Sequence, residues 1–124
     1  QKESISVNSN DKNAILTLNV GGRRFMTTRS TLLNIEGTYF SRRFGGRYDE
    51  GPCLDGEYFI DRDGKHFDLM LQYLRDQKVV LPEQLGALKE CLIEVQYYQI
   101  ATLEQATRDK IEEVEKAEKH RKGC

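Results

Sequence analysis

No apolar run in this chain approaches the roughly 20 residues a helix needs to cross a bilayer, so any link to a membrane has to pass through a partner. An excess of charge of one sign is missing too. Nineteen Lys and Arg stand against 20 Asp and Glu, a formal net charge of −1, which gives no general attraction to nucleic acid or to an acidic membrane. Three cysteines at wide spacing, Cys53, Cys91 and Cys124, form no C-x-x-C pair, and no signal-peptide pattern opens the chain. An intracellular, reduced protein is expected. Two histidines and no Gly-x-Ser-x-Gly elbow leave little for nucleophilic catalysis. What is present is a chain of 124 residues, 38% hydrophobic with five Phe and six Tyr, enough for one domain with a modest core. It begins on Gln rather than Met, which leaves open that it is a fragment of a longer protein.

Residues 1–13, "QKESISVNSNDKN", carry neither hydrophobic period and read as a flexible leader. "ILTLNV" puts Leu16, Leu18 and Val20 on one face, and "RRFMT" follows Gly21-Gly22. A two-residue Gly-Gly turn predicts a hairpin, because such turns need positive φ. Ser30 is expected to cap a short helix through Leu33, and a second apolar cluster lies at Tyr39, Phe40 and Phe44. "GGRYDEGPCLDG" then reads as a long loop of the sort that forms binding surfaces. "EYFI" is a strand. Phe67, Met70, Leu71 and Leu74 follow at helical spacing, with Asp63 as the expected cap. Leu85, Leu88, Leu92 and Val95 predict a further helix. Thr102 to Gln105 has the capping-box pattern and predicts a separate last helix from near Leu103. That helix is charged, with Glu112 to Lys116 and Glu115 to Lys119 at i, i+4 and a thin seam of Leu103, Ile111 and Val114.

"FIDRDGKHF" gathers Asp61, Asp63 and His66, residue types that bind metals, yet the spacing opposes it. An EF-hand loop from Asp61 needs Gly at its sixth position and Glu at its twelfth, where His66 and Gln72 stand. The quieter reading makes Asp63 a helix cap, Asp61 and Arg62 an ion pair, and Phe59 and Phe67 part of the core. No metal, cofactor or catalytic residue is expected. "RRFGGRY" mixes cations with rings, as nucleic-acid grips do, but Asp49, Glu50, Asp55 and Glu57 follow at once. A protein-binding loop fits better than a nucleic-acid site.

Three motifs in order, "LTLNVGGRRFMTTRSTL", "YFIDRDGKHFDLMLQYLRD" and "EVQYYQI", resemble the BTB/POZ domain of the potassium-channel tetramerisation type. The resemblance is closest to the KCTD (potassium channel tetramerisation domain-containing) proteins. It covers roughly residues 14–103 and leaves 104–124 as a charged helical extension or linker. It implies an α/β (α+β) fold, a three-stranded sheet flanked by short helices. It also implies self-association into a closed ring, a pentamer rather than a tetramer, through polar surfaces that need two complementary faces on each subunit. By motif position, Asn19, Asp61, Arg62 and Asp63 lie at or near that self-assembly interface. Arg62, with its five-donor fork, either bridges to a neighbour's carboxylate or braces the strand-helix junction within its own chain, and the two are compatible.

Many KCTD proteins look like substrate adaptors for cullin-3 ubiquitin ligases, non-catalytic and cytoplasmic, with the nucleus also open to them. Carried over by position, the cullin-facing surface selects Phe44, Tyr48, Leu54 and Tyr97. The substrate or receptor is then held by regions outside this chain. Departures from the pattern are Pro52 and extra glycines in the loop before Glu57, and no His and Cys cluster near the domain end such as zinc-binding channel domains carry. "LRDQKVVLPE" also resembles the KCTD branch that serves as auxiliary subunits of GABA-B receptors, without cullin. The alternative reading is therefore an oligomerisation and clustering module for a receptor or channel.

Overall fold

The computed structural model describes residues 12–45 and 56–122. Strands β1 (Ile15–Val20) and β2 (Arg23–Thr28) form the expected antiparallel hairpin, with Val20 opposite Arg23 and Leu18 opposite Phe25. Short helices α1 (Arg29–Leu32) and α2 (Tyr39–Arg43) follow, then strand β3 (Glu57–Ile60). Helices α3 (Phe67–Asp76), α4 (Leu85–Tyr98) and α5 (Ala101–Lys122) complete the order. β1 is the central strand, antiparallel to β2 and parallel to β3. The result is a three-stranded mixed sheet with helices, a mixed α/β domain.

Strand parity decides which face is covered. Leu16, Leu18, Val20, Tyr58 and Ile60 point inward and are buried, while Ile15, Met26 and Phe59 point outward and are exposed. Phe59 therefore does not belong to the core, contrary to its expected role, because it alternates with the buried Tyr58 and Ile60. On the inner side an aromatic group fills the space between sheet and helices. Phe40 stacks on Tyr98 at 4.8 Å, and Phe67 meets both rings edge-on at 5.8 and 5.6 Å. Burying a ring of this size stabilises by about 1.5–3 kcal/mol, so this trio is what fixes α2, α3 and α4 to one another.

The helix ends differ from expectation in instructive ways. Thr28, not Ser30, caps α1, its hydroxyl accepting from Thr31 N; Ser30 lies inside the helix. Thr38 and Ser41 form a full capping box on α2. α3 starts after His66, which supplies no side-chain cap. Asp63 instead accepts from Lys65 N at 2.9 Å and closes a small turn ahead of the helix. α4 buries Leu88, Cys91, Glu94, Val95 and Tyr98, whereas Leu85 and Leu92 are only half-buried, so its inward face is turned from the leucine stripe. A separate last helix does exist, but it starts at Ala101, which puts Thr102 inside its first turn. Glu115 pairs across to Lys89 of α4 at 3.7 Å rather than along its own helix to Lys119. α5 thus folds back on α4, and its Leu103 and Thr107 are buried.

Candidate interaction site

Two chain crossings meet where β1 ends and β3 runs out. Gly21, at φ +59°, donates to Ile60 O at 3.0 Å, and a Cβ added there would lie 2.2 Å from the Arg62 carbonyl oxygen. A Cβ on Gly64 would lie 2.6 Å from Val20 O. Neither position has room for a side chain, so the Gly-Gly turn and the segment "DRDG" are pressed backbone to backbone. That contact aims the side chain of Arg62 towards α4.

Arg62 meets Glu94 with two hydrogen bonds, Nε to Oε1 at 3.0 Å and Nη2 to Oε2 at 3.1 Å, the fork geometry that suits a carboxylate. Its guanidinium carbon also lies 4.2 Å from the centre of the Tyr97 ring. Hydrogen bonding to Glu94 raises the Arg62 pKa above its ordinary value, against a smaller opposing effect of burial. Glu94 is a buried carboxylate, and Arg62 is what makes that tolerable. The pair joins residues 32 apart, so the ion pair that sequence spacing suggested between Asp61 and Arg62 gives way to a tertiary one. Asp61 stands exposed next to it, with no ion-pair partner among the described residues.

Around this centre the neighbours are also tied down. Asn19 accepts from Gly22 N at 2.8 Å and reaches Glu57 at 3.4 Å, while Arg24 pairs with Glu57 across β1 at 2.7 Å. Hydrogen bonding from Arg24 holds the Glu57 carboxyl below its ordinary range. On the far side His66 and Lys65 converge on Glu90 at 2.9 and 3.2 Å, and the His66 hydrogen bond, reinforced by Lys65, lowers the Glu90 pKa. Burial, with Glu90 and Glu94 nearby, pushes the Cys91 thiol up to about 11. Burial likewise raises the Tyr98 phenol.

The residues expected to face a partner divide. Tyr97 is 44% exposed and held by Arg62 and by the Tyr39 ring at 5.5 Å. Phe44 is fully buried against Tyr58, ring centres 5.0 Å apart, so it belongs to the core and not to an exposed surface. Tyr48 and Leu54 lie outside the described residues. Sequence reading missed Arg29, which is 1% exposed and donates to Phe44 O at 2.8 Å and toward Tyr58 Oη at 3.4 Å. Its one local signal is its place directly after a strand and inside a capped turn. Among the described residues no three His, Cys, Asp or Glu side chains gather closely enough to hold a metal ion. Nor, among them, is any helix long and apolar enough to cross a membrane.

A three-stranded mixed sheet combined with several helices is consistent with the BTB/POZ fold. The chain belongs to the BTB/POZ domain family, in its potassium-channel tetramerisation form, matching over residues 16–107. It is 35% identical over 105 residues to the mouse and human BTB/POZ domain-containing protein KCTD21. That match takes in 85% of this chain and 40% of those proteins. It is 37% identical over 89 residues to the bovine potassium channel regulatory protein, 72% of this chain and 33% of that one. It is 38% identical over 91 residues to the chicken BTB/POZ domain-containing adapter for CUL3-mediated RhoA degradation protein 2, 73% of this chain and 29% of that one. The chain thus spans well under half the length of these relatives.

Proposed function

We propose that this chain is the homo-oligomerising interaction domain of a KCTD-like substrate adaptor for a cullin-3 ubiquitin ligase, a non-catalytic role in the cytoplasm, with the nucleus also open. The observation that carries the reading is the exposed polar set at the β3–α3 junction. Asp61 offers a carboxylate beside an Arg62 whose fork is already fixed by Glu94 and Tyr97. A ring needs two different, mutually complementary faces on each subunit, and rigid charged groups suit them, since an unmatched buried charge is penalised more than a matched one is rewarded. Asn19, Asp61, Arg62 and Asp63 line the subunit contact, and five subunits close the ring rather than four. The unit that assembles runs over 14–103, with 1–13 as leader and 104–124 as an extension toward regions that hold the substrate.

Similarity to a relative named as a CUL3 adapter supports the cullin assignment. Tyr97, a half-exposed ring locked by a cation and a second ring, has the character of an interface anchor; with Tyr48 and Leu54 it forms the cullin-facing surface. Co-migration of the assembled chain with the cullin-3 amino-terminal domain at micromolar concentration tests this, and Tyr97→Ala weakens it. An intact oligomer that ignores the cullin domain refutes the adaptor reading. A second reading, a clustering subunit for a channel or receptor, is favoured by the likeness to potassium channel regulatory protein. It predicts binding to a channel or receptor tail together with indifference to cullin.

A further inference from the structure

A second surface lies away from that junction. The connection between α3 and α4 runs past α5 and leaves a groove of about 590 Å³ between them. Val79 and Val80, 44% and 59% exposed, form one wall, and Ala106 lies in the other. Among the described residues no hydrogen bond ties the backbone of Val79, Val80 or Leu81 to another segment. Leu81 precedes Pro82, whose ring disfavours the helical region for it and favours extended backbone. Val79 and Val80 lie outside the sheet and the helices, and their backbone N–H and C=O groups are open to pairing with an extended peptide laid beside them.

The rim states what such a strand carries. Glu83, Asp109 and Glu113 bring three carboxylates to the groove against one cation, Lys110. Lys110 already pairs with Glu83 at 3.2 Å and Glu113 at 3.6 Å, so two negative charges remain in excess. We propose that this groove docks an extended peptide from a partner protein, one with alternating apolar and basic side chains that adds as a strand to Val79–Leu81. Apolar side chains would lie over Val79, Val80 and Ala106, and the basic ones would meet the acidic rim. The proposal does not rest on the ring or on cullin, since the surfaces proposed for those draw on other residues.

The test is fluorescence anisotropy with the assembled chain and a labelled octapeptide of alternating Val and Lys. Saturable binding is expected. It weakens about tenfold when alternate peptide nitrogens are methylated, which removes strand donors without changing charge. It weakens at least as much in Glu83→Lys and Glu113→Lys, both exposed sites where folding is checked by circular dichroism. No saturation overturns the proposal. So does binding that is unaffected by N-methylation, or equal binding of a Ser-Lys peptide of the same charge, since either reduces the contact to unspecific attraction. A fall in native mass on Val80→Lys also overturns it, because the groove would then be occupied by a second copy of the chain.

Discussion

Removing Arg62 should cost the fold far more than an exposed arginine usually does. The Arg62 side chain is 28% exposed but its partner Glu94 only 11%, so Arg62→Met leaves a carboxylate with little access to water. Breaking a fully buried pair costs about 3–5 kcal/mol. Partial exposure on the arginine side brings the expected loss to about 2–3 kcal/mol, or about 10 °C in Tm for a chain of this size. Glu94→Met is milder, about 1–2 kcal/mol, because the freed guanidinium can reach solvent. With both replaced, no charge is stranded, and the double variant loses about 1–2 kcal/mol rather than the sum. Urea unfolding of the four proteins at one protomer concentration measures the coupling, and repeating it at a tenfold lower concentration separates it from assembly. Losses that add to within about 0.5 kcal/mol would refute the pairing. A coupling that vanishes on dilution would assign the partner of Arg62 to a neighbouring subunit.

Gly21→Ala should destabilise by more than about 2 kcal/mol, positive φ and the Arg62 carbonyl acting together, while Gly22→Ala, with open space around it, carries only the backbone strain. Equal Tm shifts for the two would mean that the crossing of the turn and the β3–α3 segment is not tight. In acid, stability should fall once the pH drops below about 4.5, the ordinary glutamate value. Glu57 and Glu90 have folded pKa values below that value, so their contribution is whole above it and disappears as the pH falls through the folded values. Glu57→Gln and Glu90→Gln should each flatten the acid limb of a stability-against-pH curve. An unchanged limb in the double variant would contradict the cause assigned to the two shifts.

Much of the fold is legible where a single local period rules. Leu16, Leu18 and Val20 alternate, Phe67, Met70, Leu71 and Leu74 repeat at helical spacing, and both sets are buried as that spacing requires. The same parity assigns Phe59, between the buried Tyr58 and Ile60, to the outer face. Tyr97 and Tyr98 are adjacent on a helix and cannot share a face; which one turns inward depends on Phe40 and Phe67, brought from elsewhere in the chain. α4 shows the limit most clearly. Its leucines predict one face, but the buried Glu94 turns inward because Arg62 meets it from 32 residues away, and no window of sequence carries that information. Asp63 misled for a related reason. Gly64 packs on Val20 O, so the chain makes a turn before helix starts at Phe67.

Self-assembly is the central claim, and native mass spectrometry of the chain at micromolar concentration tests it most directly. A subunit of 14.4 kDa in a five-membered ring gives about 72 kDa, and Asp61→Arg should shift the signal to smaller species while circular dichroism stays unchanged. A single species at 14.4 kDa across the concentration range would contradict the account.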